Sequence, residues 1–171
     1  MARSDDPGRE HRNGLPPIVG NAARVLILGT IPSVKSSLKG QYYGNPLNHF
    51  WRLMAEVLGG KMPDHYQERC QLLTDNGIAL WDVLTECDIV GSGDSTIVNP
   101  VPNDIVGFLK KNQGIRQIFI NGRTAHKFYQ KYHEGEFEIK VTVLPSSSPA
   151  NAVRWDMRRD RWMAIREALQ S

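Results

Sequence analysis

Four short apolar segments alternate with stretches of helical periodicity, and this alternation limits the folds open to the chain more than any other feature. Runs of this length suit buried strands better than helices. We therefore predict strands at Arg24–Gly29, Ile78–Leu84, Gln117–Asn121 and Ile139–Leu144. Helices are predicted at His49–Leu58, Tyr66–Asn76, Asn103–Asn112 (with Asn103 as N-cap), Arg123–Tyr132 and Arg154–Leu169. Strands that alternate with helices favour a parallel sheet covered on both faces, so we expect an α/β protein.

Length and composition indicate one ordinary globular domain. The 171 residues can bury a sizeable core, and the formal net charge is only +3, so a nucleic-acid surface would need local clusters of basic residues. Cys70 and Cys87 are far apart, which argues against a metal or iron–sulfur site and suits a reduced, cytoplasmic protein. No apolar run approaches the length of a membrane span. We expect residues 1–14 to be a mobile tail, residues 15–171 to be a single domain, and the protein to be a monomer without membrane contact.

Three polar loops are predicted to meet at one edge of the sheet, because the carboxyl ends of parallel strands share an edge. A long loop with Gly29-Thr30-Ile31-Pro32-Ser33 follows the first strand and continues to Trp51. Asn121-Gly122 follows the third strand, and Pro145–Asn151 follows the fourth. Loops of this composition also occur as plain turns. Long ordered loops nevertheless more often carry function than packing, so a ligand site is expected at this edge.

Several segments in these loops resemble the motifs of the uracil-DNA glycosylase superfamily, and most closely those of its hypoxanthine (deoxyinosine) branch. They are Leu-Ile-Leu-Gly-Thr-Ile-Pro-Ser at 26–33, Gln-Tyr-Tyr at 41–43 with Asn48 before Phe50-Trp51, Ala-Leu-Trp-Asp-Val-Leu at 79–84, Asn121-Gly122, and Leu-Pro-Ser-Ser-Ser-Pro-Ala-Asn at 144–151. The resemblance implies a three-layer α/β/α sandwich around a four-stranded parallel sheet. It also implies an enzyme that flips a deaminated base, hypoxanthine or uracil, out of damaged DNA and hydrolyses its N-glycosidic bond.

The resemblance also implies roles for individual residues. Asn48 matches a catalytic asparagine, Asn121 matches the position that reads the edge of the flipped base, and Tyr42 or Tyr43 would stack on that base. The first motif, with Gly29, would form the base pocket, and the backbone N–H groups of Thr30 and Ile31 are our candidates for stabilising the departing base. The second motif would hold the DNA backbone, and its candidate contacts are Ser146, Ser147, Ser148 and Arg154.

Other interpretations of the same residues stay open. Asn48 could cap a helix, Asn121 could form a turn, and the two tyrosines could pack in the core. Asp82, near the end of a strand, could be an acid in the site, although a structural hydrogen-bond acceptor is the favoured interpretation. Most of the arginines that follow Arg154 are expected to form a solvated face.

The departures from the family pattern are Ile31 and Pro32, where many uracil glycosylases have Asp or Asn, and Leu144, which replaces a common histidine. A nucleoside or nucleotide hydrolase and a non-catalytic module that binds damaged DNA are the alternative functions. No cluster of ligating residues is readable, so neither a metal nor another cofactor is expected.

Overall fold

A computed structural model describes residues 6–171 and shows two β-sheets. In chain order the strands are β1 (Arg9–Asn13), β2 (Val25–Gly29), β3 (Ile78–Asp82), β4 (Leu84–Val90), β5 (Val98–Pro102), β6 (Gln117–Asn121) and β7 (Lys140–Leu144). The helices are α1 (Val34–Lys39), α2 (Phe50–Leu58), α3 (Tyr66–Asp75), α4 (Ile105–Lys111), α5 (Arg123–His133), α6 (Trp155–Trp162) and α7 (Ala164–Gln170).

The central sheet is parallel and has the strand order β3-β2-β6-β7. Its middle strand β2 is completely buried and sends alternate side chains to opposite faces. Leu26 and Leu28 pack in one apolar cluster with α4 and α5, whereas Val25 and Ile27 pack in a second cluster with α2, α3, α6 and α7. The predicted α/β/α sandwich around a four-stranded parallel sheet is therefore confirmed. No helix among residues 6–171 is long and apolar enough to cross a membrane.

A second, antiparallel sheet with the order β1-β4-β5 was not predicted. The predicted mobile tail is wrong for Arg9–Asn13, which pairs with β4 from Arg9↔Val90 to Asn13↔Glu86; residues 1–5 lie outside the described residues. Strand β1 has the sequence Arg-Glu-His-Arg-Asn and carries no apolar pattern that would reveal a strand. Strand β5 contains Pro100 and Pro102. An edge strand tolerates proline because not every one of its residues has to donate a hydrogen bond to a neighbouring strand.

Three predicted element boundaries also differ from the structure. The second predicted strand ends at Asp82, and the chain passes at Val83 into β4 of the other sheet. Helix α4 is capped by Asp104, whose side chain accepts a hydrogen bond from Gly107 N, and not by Asn103. The side chain of Asn103 donates instead to the backbone oxygen of Asp82 at 2.8 Å. The C-terminal helix is divided at Met163 into α6 and α7.

The side chain of Arg12 joins the two sheets through the loops at the edge of the central sheet. It is only 3% exposed although it is charged. Its guanidinium donates to the backbone oxygens of Pro32 at 2.8 Å and of Gly91 at 2.9 Å, and it pairs with Glu10. Pro32 belongs to the loop after β2, and Gly91 belongs to the loop after β4. Strand β1 therefore positions two loops that contribute to the cleft described below.

We predict that Arg12→Ala lowers the free energy of unfolding by about 2–4 kcal/mol, because two backbone oxygens lose their buried charged donor. Urea denaturation measures this change. Arg161→Ala is the control and should change stability by less than about 0.5 kcal/mol, because Arg161 is an exposed residue of α6 that forms no ion pair with any other residue in the range 6–171. Equal effects of the two substitutions would contradict a positioning role for Arg12.

Candidate active site

A cleft of about 310 Å³ opens at the carboxyl edge of the central sheet. The structure brings together here the three loops singled out in the sequence, together with the end of β3 and the loop after β4. The candidate residues that line the cleft are Gly29, Thr30, Ile31, Tyr42, Tyr43, Asn48, Asn121, Ser146, Ser147 and Ser148. Arg154 does not line it. Its side chain is 80% exposed and pairs with Asp156 at 2.7 Å.

Asn121 connects the loops of the cleft through its side-chain amide. It stands at the end of β6 and is only 9% exposed. Its Nδ2 group donates to the hydroxyl oxygen of Tyr43 at 3.0 Å and to that of Ser147 at 2.9 Å, and its Oδ1 atom accepts from Ser147 N at 2.9 Å. Both amide hydrogens are thus in use, and one lone pair of Oδ1 is left for a ligand.

The two candidate tyrosines have different environments. Tyr42 is 4% exposed, and its hydroxyl donates to the backbone oxygen of Pro16 at 2.9 Å, so it anchors the segment that precedes β2. Tyr43 has a backbone φ of 52°, which is uncommon for a residue with a side chain. Its ring stacks on Phe50 with centroids 4.0 Å apart and an interplanar angle of 18°. With one face covered by Phe50, the Tyr43 ring is supported as a platform at the cleft, and Tyr42 is a core residue.

Asn48 lies directly before His49, the N-cap residue of α2, and also lines the cleft. Its Oδ1 atom accepts a hydrogen bond from Phe50 N, the first residue of α2, at 2.9 Å. The capping interpretation of Asn48 therefore describes a real contact. The contact fixes the amide and leaves a second lone pair on Oδ1, and no hydrogen bond to another described residue uses Nδ2. The backbone N–H groups of Thr30 and Ile31 likewise have no acceptor among residues 6–171. Unused donors and acceptors thus border the cleft on two sides.

The serine loop, residues 145–151, is held by a buried arginine that sequence reasoning had assigned to a solvated face. Arg158 is 2% exposed, and its guanidinium donates to the backbone oxygens of Ser146 at 3.0 Å and Asn151 at 2.6 Å. Burial lowers its pKa, and no carboxylate among residues 6–171 pairs with it. Helical spacing could have revealed this burial in the sequence. Arg158 lies four residues before Trp162, so the two side chains share one face of the helix, and Trp162 is fully buried.

The serine loop in turn contacts the first loop. Ser147 is 1% exposed, and its backbone oxygen accepts from His49 N at 3.0 Å. The ring of His49 lies against Trp155, and burial followed by the nearby charges of Arg158 and Arg52 lowers the pKa of His49. The lowered pKa favours the neutral form of His49 beside Asn48.

Asp82 was expected to be a structural hydrogen-bond acceptor, and this prediction is wrong. It lies opposite Gly29 in the β2–β3 register and is 4% exposed, and its Oδ2 atom is buried without a donor among the described residues. Burial, followed by the charge of Asp94, raises the pKa of Asp82 to about 7. Asp94, in the loop after β4, also lines the cleft but is exposed. The position of Asp82 at the end of a strand, which the sequence already contained, indicated a side chain at the ligand site.

Glycine at position 29 lets the ends of two side chains approach the backbone closely. A Cβ atom at this position would stand 2.6 Å from Asp82 Oδ1 and 2.9 Å from the hydroxyl oxygen of Tyr43. Both distances are shorter than real Cβ contacts. The carboxyl of Asp82 and the hydroxyl of Tyr43 therefore approach the same point at the floor of the cleft.

The fold and the cleft together define a class of α/β proteins that bind a small polar ligand at the carboxyl edge of a parallel sheet. Residues 16–170 match the family model of the uracil DNA glycosylase superfamily, and the chain belongs to this family.

Individual relatives cover nearly the whole chain. The chain is 37% identical over 155 residues to the hypoxanthine DNA glycosylase of Methanosarcina acetivorans, a match that spans 90% of this chain and 97% of the relative. It is 31% identical to the hypoxanthine DNA glycosylase of Methanosarcina barkeri over 88% of this chain and 95% of the relative. A solution NMR structure of a candidate uracil DNA glycosylase from M. acetivorans superposes with a TM-score of 0.84 at 36% identity, covering 95% of this chain and all of the other.

Proposed function

We propose that this protein is a monofunctional DNA glycosylase that removes a deaminated base, hypoxanthine or uracil, from DNA and leaves an abasic site. The observation that carries the proposal is that Asn48, the unused N–H groups of Thr30 and Ile31, and the ring of Tyr43 meet in one cleft. A cleft of about 310 Å³ is near the lower end of the size range of small-ligand pockets, roughly 300–1,000 Å³. A single base flipped out of the duplex is a ligand of this kind.

The chemistry follows from what the cleft offers to a flipped base. Cleavage of the N-glycosidic bond leaves positive charge on the sugar and negative charge on the base. Fixed N–H donors stabilise that anion without reorganising, and the N–H groups of Thr30 and Ile31 are free for this task. Oδ1 of Asn48 has a lone pair that can accept a hydrogen bond from the attacking water. Because an amide is a poor base, Asn48 orients the water more than it deprotonates it.

The reaction is tested with duplexes that each carry one damaged base, followed by alkaline cleavage of abasic sites. We expect excision of hypoxanthine or uracil from the duplex, no release of base from free deoxyinosine, and full activity in the presence of a chelator. No borohydride-trapped adduct should form, because no lysine is proposed as nucleophile. Release from free deoxyinosine would favour the nucleoside hydrolase, and tight binding without cleavage would favour a non-catalytic module that binds damaged DNA. Activity lost on chelation and restored by zinc or magnesium would contradict metal-free catalysis.

We also propose that the protein acts as a monomer, and that it works in the cytoplasm, where the free thiols of Cys70 and Cys87 stay reduced. Sedimentation of the protein alone and bound to a damaged duplex tests the monomer. A dimer that persists in both states would contradict it.

Asn48→Ala should reduce the single-turnover excision rate by about 10²-fold or more, because a positioned catalytic group is lost. Binding to damaged DNA should change little. The substitution also removes the hydrogen bond to Phe50 N at the start of α2 and should lower stability by about 1 kcal/mol. Asp104→Ala, which removes the cap of α4 away from the cleft, is the matched control and should lower stability similarly without slowing excision. An active but destabilised Asn48→Ala protein would show that Asn48 is only a cap.

Asn121→Asp should change the ranking of damaged bases more than the affinity for undamaged DNA. The substitution replaces the amide nitrogen that donates to Tyr43 and Ser147 with a charged oxygen, so the charge and position of the Oδ1 acceptor that faces the N–H of the lactam edge of hypoxanthine or uracil change. Excision rates across the panel of damaged bases measure the ranking. Ser147→Ala is the control, because it removes one partner of the Asn121 network and leaves the amide in place. If Ser147→Ala changed the ranking equally, Asn121 would be an organising residue and not a reader of the base.

Arg154→Ala should weaken binding to all DNA sequences alike and reduce the slope of log affinity against log salt by about one unit, because one phosphate contact is lost. Ser146, Ser147 and Ser148 are proposed to orient the same backbone through hydroxyl and N–H groups. Fluorescence anisotropy at several salt concentrations measures the slope. Arg161→Ala, on the same helix, serves as the control. An unchanged slope in Arg154→Ala would place the phosphate contacts elsewhere.

A further inference from the structure

We propose that Asp82 takes part in the reaction in its protonated form and donates a hydrogen bond, and then its proton, to the base as the base leaves the sugar. This inference rests on the proposed glycosylase function and adds a catalytic residue to it. It does not depend on which deaminated base is preferred.

Asp82 lies opposite Gly29 in the parallel register, so its carboxyl stands at the start of the first loop, which also carries the free N–H groups of Thr30 and Ile31. Its Oδ1 atom and the Tyr43 hydroxyl approach the same point over Gly29. A base that stacks on Tyr43 and faces these N–H groups therefore has the carboxyl of Asp82 within reach.

No hydrogen bond within the described residues gives the carboxyl of Asp82 a structural role. Both amide hydrogens of Asn121 are used by Tyr43 and Ser147, whereas Oδ2 of Asp82 is buried without a donor among residues 6–171. A buried polar atom without a partner costs about 1–3 kcal/mol of stability or more. A ligand that offers an acceptor to the protonated carboxyl would remove this cost in the complex.

The cleft offers few other proton donors. Among the described residues that line it there is no histidine, cysteine, lysine or arginine. Burial raises the pKa of Tyr42 and of Tyr43 above their ordinary value, so neither hydroxyl gives up its proton near neutral pH. The groups that face Asp82 are these two tyrosines and Asp94, and no cation among residues 6–171 stabilises its ionised form. With a pKa of about 7, Asp82 is partly protonated at neutral pH, as a general acid requires.

Atoms and electrons are conserved in the proposed step. The bond between the sugar C1′ and the base nitrogen breaks, and its electron pair goes to the base. The proton moves from the Asp82 carboxyl to an acceptor atom of the base, which leaves as a neutral molecule. Water adds its oxygen to C1′ and releases a proton to solvent. Solvent returns a proton to the Asp82 carboxylate before the next turnover.

The test is the pH dependence of single-turnover excision by wild type, Asp82→Asn and Asp94→Asn. For wild type, the rate should decrease about tenfold per pH unit above the pKa of Asp82, because only the protonated form reacts. Asp82→Asn retains a donor but cannot give up a proton, so its rate should be about 10²-fold lower and independent of pH in this range. Asp94→Asn should retain the decrease and move it to lower pH, because a negative charge beside Asp82 is removed.

Dependence on the leaving group provides a second measurement. A duplex with 5-fluorouracil carries a better leaving group than one with uracil, so the loss of rate in Asp82→Asn should be smaller for 5-fluorouracil. Equal losses for the two bases, or a pH profile of Asp82→Asn that matches wild type, would overturn the proposal. If Asp94→Asn instead abolished the decrease, Asp94 would be the acid and the assignment to Asp82 would be wrong. Absence of excision by wild type would overturn the proposed function itself, which is a distinct result.

Discussion

The hydrogen bonds of the Asn121 amide are the interactions on which the cleft depends. Parallel strands deliver their carboxyl ends to one edge, but the loops that follow them have no reason of their own to stay together. Asn121 connects Tyr43 of the first loop with Ser147 of the serine loop, and Ser147 binds His49 N beside Asn48. Because each group is buried, losing one partner leaves another unsatisfied, so the network forms as a unit. The position of the Asn48 amide, the proposed catalytic group, therefore depends on Asn121 at the end of β6.

Two buried arginines extend this organisation outwards. Arg12 binds backbone oxygens of the loops after β2 and β4, and Arg158 binds those of the serine loop. A guanidinium offers five donors in a planar fork, so it can hold several carbonyl groups at once. Loops rich in serine, proline and glycine have few apolar groups to bury and would otherwise be held weakly. The hydrogen bonds from these two guanidinium groups therefore hold the loops in place where apolar packing is weak.

The central sheet, its helical layers and the meeting of three loops followed from sequence patterns, because short apolar runs and helical periodicity report burial directly. The antiparallel sheet did not follow. Strand β1 is polar at every position and is recognised only through its partner β4, 73 residues or more away along the chain. The burial of Arg158 and the isolation of the Asp82 carboxyl likewise depend on contacts between distant segments. Residue type predicted which side chains could carry chemistry, but tertiary contacts decided which ones are free to do so.

The carboxyl of Asp82 illustrates the conflict between stability and function at such a site. Its pKa in the folded protein is raised, so the folded state binds this proton more tightly than the unfolded chain does. The contribution of Asp82 to stability is therefore most favourable below the ordinary aspartate pKa and decreases as the pH rises towards about 7. Above that pH the folded protein holds a buried carboxylate that no described cation compensates. An asparagine here would avoid that cost and would still fit, but it could not release a proton. A destabilising acid at the floor of the cleft is what a site built for proton transfer would contain.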